Sequence, residues 1–205
     1  MDKFKNKYRI PSARLPHWDY RQAGAYFITI CTHNREHYFG EIKNGRMQWS
    51  GVGIIAGVLW HQIPYHAQYV ELGAFVVMPN HIHGIIIITN GNNDKNNNNN
   101  NNPVVETLHA TSLRRDTTPQ RDTTPKNAQM SNISPKSNSI SVIVRSYKSA
   151  VSKHVHRLGF AFQWQSRFYD HIIRNDSSFE RISNYIINNP ANWQDDQFYK
   201  TTLYI

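Results

Sequence analysis

The chain has 205 residues, 39% of them apolar and 12% aromatic, enough for one domain with a core of its own. Lys plus Arg number 23 against 14 Asp plus Glu, and the formal net charge of +9 suits a partner that carries phosphates. Cys31 is the only cysteine, which excludes an intrachain disulfide. No apolar stretch approaches the length of a membrane span, and Met1 to Lys7 lacks the apolar run of a signal peptide, so the expectation is a soluble cytoplasmic protein.

Residues 1–24 read as an irregular basic lead-in broken by Pro11 and Pro16. Ala25 to His33 is rich in β-branched and aromatic types and predicts a strand. Asn34 to His37 reads as a loop, and Tyr38 to Trp49 as a hairpin turning at Asn44-Gly45. From Val52 to Ile63 apolar residues recur at helical spacing, and Pro64 is expected to stop that helix. Tyr69–Val77 and Ile82–Ile88 then form an antiparallel pair about the turn Met78-Pro79-Asn80.

Composition breaks after Thr89. Residues 90–102 are almost all asparagine, and Arg115-Asp116-Thr117-Thr118-Pro119 is repeated at Arg121-Asp122-Thr123-Thr124-Pro125. Such a stretch has little to bury, so residues 90–137 are expected to be a disordered insertion. It divides one domain into an N-terminal part, 1–89, and a C-terminal part, 138–205. Order resumes at Ser139 with a helix through Ile143, Val144, Tyr147, Ala150, Val151 and Val155, ended by Gly159. Phe162 to Arg174 reads as extended. A last helix is expected from a capping box of Ser177 and Glu180, through Phe179, Ile182 and Ile186, to Pro190. Strand, helix, two strands, helix, strand and closing helix predict a ferredoxin-like α+β fold, an antiparallel sheet with helices on one face.

His81 and His83 open the second central strand, two residues apart. That spacing puts both imidazoles on one face and starts a divalent metal site; ordinary alternation on a half-solvated strand is the plain alternative. If a metal sits over a phosphate, the chemistry is phosphoryl transfer, and a protein nucleophile would be Ser, Tyr or Cys. Among the tyrosines considered, Tyr185 has a metal-capable side chain, Asn189, one helical turn on. Tyr147, Tyr169 and Tyr199 have Val151, Ile173 and Leu203 at that offset. Tyr185 as nucleophile and Asn189 as third ligand stand beside a core-edge tyrosine and a helix cap as structural alternatives.

Three ordered motifs carry a resemblance: Met78-Pro79-Asn80-His81-Ile82-His83, Trp164 to Arg174, and Tyr185-Ile186-Ile187-Asn188-Asn189-Pro190. Together with Asp19-Tyr20 and the strand Tyr26 to Thr32, they resemble the REP-associated tyrosine transposases, members of the HUH single-strand endonucleases. The resemblance implies a Mg²⁺- or Mn²⁺-dependent nick in single-stranded DNA near REP-like hairpins, through a 5′-phosphotyrosine. It implies His81 and His83 as the metal pair and Tyr185 as the nucleophile, with Asn189 where the wider superfamily often has glutamine. Arg145, Lys148, Lys153, Arg167 and Arg174 are expected to hold phosphates, with Trp164 or Phe168 stacking on a base. A nucleoid-associated monomer or homodimer follows from the same reading. The alternatives are a non-catalytic nucleic-acid-binding module on the same sheet and a phosphodiesterase that uses water.

Overall fold

The computed structural model describes residues 18–90 and 138–199. These residues belong to one compact unit. The expected insertion (apart from Asn90) and most of the basic lead-in lie outside the described residues.

Strand β1, Gly24–Cys31, alternates so that Tyr26, Ile28 and Ile30 point to one side and are fully buried. The hairpin β2, Gly40–Lys43, and β3, Arg46–Trp49, turns at Asn44 and Gly45 as expected. Their φ values of 52° and 69° meet the need of a two-residue turn for left-handed backbone at both positions. Ser50 caps helix α1, Gly51–His61, by accepting from the Gly53 amide at 3.1 Å. Pro64 does not simply end the helical path. It lies in the first turn of a short second helix, α2, Ile63–His66, where a missing N–H leaves no bond unmade.

Strands β4, Val70–Val77, and β5, His81–Ile88, flank the Met78-Pro79-Asn80 turn. Helix α3 runs from Ile140 to Arg157, with Gly159 in the left-handed region at φ 79° just beyond it. Of the stretch expected to be extended, only β6, Tyr169–Ile173, joins the sheet; Trp164 makes a single bridge to Thr32. Helix α4 spans Asp176–Asn188. Its cap is Asn175, whose side chain accepts from the Ser178 amide at 2.8 Å, rather than Ser177. Asparagine caps as well as serine, and the earlier cap brings two more residues, Asp176 and Ser177, into the helix.

The sheet order is β4-β5-β1-β6 and every neighbouring pair is antiparallel. With α1 and α3 as the crossovers this is the expected ferredoxin-like α+β arrangement. Right-handed crossovers place α1 and α3 on the same face. There Trp60, Val144, Tyr147 and Val151 close over Tyr26, Ile28, Ile82 and Ile86. The packing is so close that a Cβ at Gly84 would stand 2.3 Å from the Trp60 ring. Helix α4 departs from the one-face expectation. It is no crossover, and its Phe179, Ile182 and Ile186 cover the opposite face at Ile85 and Ile173. That second face carries alternate apolar residues of β1 and β5 and needs cover of its own. Among the described residues, no helix is long and apolar enough to cross a membrane.

Candidate functional site

Strand alternation sends His81 and His83 to the face that α4 covers, on the same side as Ile85. Both imidazoles are buried, and their ring centroids lie 4.4 Å apart. Burial pushes His83 down to about 3. Burial, then the neighbouring His83, Arg35 and His37, holds His81 well below its ordinary value. Both rings are therefore neutral at neutral pH, as ligating imidazoles must be.

The outer hydrogen bonds orient them. The Asn80 amide donates through Nδ2 to the Phe198 carbonyl at 2.9 Å, which turns its Oδ1 toward His81 Nδ1, also at 2.9 Å. A carboxamide oxygen only accepts, so His81 carries its proton on Nδ1 and its lone pair on Nε2. That Nε2 is buried with no hydrogen-bond partner. On His83, Nδ1 meets the Thr29 hydroxyl at 2.9 Å. Its Nε2 faces the Tyr185 hydroxyl at 3.3 Å.

Tyr185 and Asn189 arrive on α4. Although Asn189 precedes a proline, it keeps helical angles (φ −56°, ψ −41°), so the one-turn spacing to Tyr185 survives. Asn189 is buried and donates through Nδ2 to Asp196 Oδ2 at 2.8 Å, while its Oδ1 has no hydrogen-bond partner. Asp196 was not expected from the sequence. Its Oδ1 accepts from the Phe198 amide at 2.6 Å, and the Tyr185 hydroxyl lies 3.4 Å from its Oδ2. Burial first, then the Asp196 charge, pushes the Tyr185 phenol up to about 12.

His81, His83 and Asp196 each offer a donor atom, and these atoms lie within 4.8 Å of one another. Two neutral imidazoles, a carboxylate and an unpaired amide oxygen form a mixed nitrogen and oxygen set of the kind that holds a divalent metal ion. Unpaired buried acceptors cost roughly 1–3 kcal/mol each, a cost that a cation would offset. The donor set thus fits the implied metal. The set borders a cavity of about 800 Å³ floored by Phe27, His83 and Phe198. Two carboxylates, Asp195 and Asp196, line it, with no lysine or arginine among the described lining residues. A phosphate entering there meets negative charge until a cation balances it.

No family model matches the sequence. An uncharacterized protein of Haemophilus influenzae is 38% identical over 189 residues, covering 92% of this chain and 92% of its own. The chain belongs to that protein's family. A solved structure of a REP-associated tyrosine transposase bound to a REP hairpin is 18% identical, with a TM-score of 0.48, over 94% of this chain and 74% of that one.

In this family member the residues expected at DNA are spread out. Arg145 and Lys153 are exposed on α3, across the sheet from the imidazoles. Lys148 and Trp164 come together: the ammonium lies 5.7 Å from the indole centroid and donates to the Gln165 carbonyl. Trp164 packs among Phe39, Phe162 and Tyr147, and its N–H is taken by the Lys148 carbonyl. Arg167 is exposed before β6, and Arg174 follows it in a groove with His171 and Arg181.

Proposed function

We propose that the protein is a metal-dependent single-strand DNA endonuclease of the transposase type, acting near hairpins through a 5′-phosphotyrosine on Tyr185. The observation that carries this reading is the Tyr185 hydroxyl 3.3 Å from His83 Nε2, at the rim of a cavity that admits a phosphate. His81, His83 and Asp196, with the Asn189 amide oxygen beside them, would hold Mg²⁺ or Mn²⁺. Bound there, the cation would supply Lewis acidity at the scissile phosphate and balance the local carboxylates.

The chain's own groups account for the rest. Tyr185 Oη attacks phosphorus, the bond to the 3′-oxygen breaks, and that oxygen leaves as a 3′-hydroxyl after taking up a proton. The phenol proton has one acceptor in reach that a bound cation would leave available, the Asp196 carboxylate with Oδ2 at 3.4 Å; the lone pair of His83 Nε2, at 3.3 Å, is the one the cation would take. A phenol raised to about 12 is a weak nucleophile, so removing that proton is part of the barrier. Phe27, edge-on to Tyr185 with centroids 6.3 Å apart, fixes the phenol ring against the sheet. The basic side chains Arg145, Lys148, Lys153, Arg167 and Arg174, and the ring of Trp164, are proposed to hold the strand.

The test incubates the protein and 3′-labelled single-stranded DNA from around its own gene with Mn²⁺, then runs a denaturing gel. Label travelling with wild-type protein, and not with Tyr185→Phe, is the expected result. Cutting that survives in Tyr185→Phe would mean that water attacks instead. Strand binding with no cut in any metal would leave a binding module.

A further inference from the structure

The loop after β1 holds a cation that the site above does not use. The turn His33–Arg35 places two consecutive non-glycine residues in the left-handed region, Asn34 at φ 51° and Arg35 at φ 61°. Each such residue costs of order 1 kcal/mol and persists only where surrounding bonds impose it. Those bonds are on both sides. The Thr32 amide donates to the Asn80 carbonyl at 2.9 Å, and its hydroxyl bonds to the carbonyls of Glu36 and Asn80. The His33 amide donates to Gln163, and the Phe39 amide to Pro79. The loop is thus fastened to the turn that precedes the two histidines.

What it holds in place is the Arg35 guanidinium, 4.1 Å from the centroid of the Phe198 ring. The same ring lies tilted against both imidazoles, its centroid 4.5 Å from that of His81 and 5.8 Å from that of His83, so the cation is one aromatic ring away from the imidazole pair. Arg35 is half-buried and has no carboxylate partner among the described residues. An acid is close by. Asp196 flanks Phe198 in the same segment, but its oxygens are taken by the Phe198 amide, the Asn189 amide and the Tyr185 hydroxyl. A partly desolvated guanidinium, held by strained backbone on an aromatic face and left without an anion, is arranged for one that comes from outside.

We propose that Arg35 is a positioning residue that grips a backbone phosphate of the single strand next to the one placed at Tyr185. The inference rests on the function proposed above and adds a contact absent from the basic residues named there. The planar fork of Arg35 fits two non-bridging phosphate oxygens, whereas the described lining of the cavity holds two carboxylates and no lysine or arginine. It would orient the strand so that the scissile phosphate, and not a neighbour, reaches the phenol.

The experiment measures anisotropy of fluorescein-labelled oligothymidylate with Mg²⁺, in a Tyr185→Phe background so that the strand stays whole. Arg35→Ala should weaken binding about tenfold and lower the salt slope by about 0.7, the loss of one phosphate contact. Arg35→Lys, which keeps the charge without the fork, should recover part of it. On a methylphosphonate oligomer, whose backbone is neutral, Arg and Ala at position 35 should bind alike. Melting temperature and Mn²⁺ affinity should be the same for both. Equal affinity and slope in Arg35→Ala would overturn the proposal, as would an equal loss on the neutral oligomer, which would mark a packing role. If Arg35→Ala does not fold, Arg35→Gln removes the charge, keeps a side chain over Phe198 and decides by the same criteria. The two readings fail separately. A wild-type adduct with no Arg35 effect sinks only the phosphate grip. An Arg35 effect with no adduct sinks only the nick.

Discussion

The two faces of one sheet follow opposite rules. The face under α1 and α3 is apolar and sealed, with Trp60, Tyr26, Ile82 and Ile86 fully buried. The face under α4 buries polar groups as deeply: His81 and Asn80 fully, His83, Asn189 and Thr29 almost so. Burying imidazoles and amides costs stability unless each is bonded, and two acceptors on this face, His81 Nε2 and Asn189 Oδ1, are not. The first face supplies the free energy of folding, and the second spends some of it on holding reactive groups in place. Alternation along β1 and β5 makes the separation clean, since each residue answers to one face only.

Substitutions can break that contrast. The largest effect should be in activity: Tyr185→Phe should lower strand cleavage by roughly 10⁴-fold or more, while urea denaturation shows stability within about 0.5 kcal/mol of wild type, as the half-exposed ring stays. Trp60→Ala should do the reverse. It should cost about 3–5 kcal/mol in the same denaturation experiment, and the folded fraction should still bind Mn²⁺. A Trp60 variant that lost metal at full folding would show that the faces are coupled.

Acid should separate them next. Folded His83 has a value of about 3 and an unfolded histidine about 6.5, so between those pH values the unfolded chain binds the extra proton. Stability of the metal-free protein is therefore complete above about 6.5 and falls with pH toward 3, by up to about 1.4 kcal/mol per pH unit for this histidine. His81, lowered in the same direction, adds to the slope. Guanidinium titrations in EDTA across that range should show it, and His83→Leu should flatten it; an unchanged slope would mean that the ring is not buried neutral. The smallest effect concerns the cap of the helix that carries the phenol. Asn175→Ala should cost about 1 kcal/mol and Ser177→Ala close to none, measured as the difference in denaturation midpoint.

Much of this was legible in the residues because it depends on local periodicity. Alternation placed His81 and His83 on one face, helical spacing placed Tyr185 and Asn189 on one side, and Asn44-Gly45 marked its turn. The element order was enough for the ferredoxin-like sheet. Which face α4 would cover was not legible, because both faces of β5 are apolar apart from the histidines and a non-crossover helix can take either. Asp196, Phe198 and Arg35 were missed for a related reason. They sit in irregular segments with no period to read, and they meet the histidines only through tertiary contacts. A signal did exist for Asp196: an acidic pair, Asp195-Asp196, just beyond the Tyr185 helix in an otherwise basic chain. The packing of Trp164 was legible in part: Phe162 stands two residues before it, whereas Phe39 and Tyr147 reach it only in the fold.

The Tyr185–His83 contact joins residues 102 positions apart. During synthesis the imidazoles emerge first and the phenol follows after roughly 5–20 s, at about 5–20 residues per second. A nascent chain that has completed β5 but not α4 carries half of the group and neither Tyr185 nor Asp196. Chain order therefore delays the assembled group until nearly all of the described fold has left the ribosome, and an interrupted translation product releases histidines without a partner to work with.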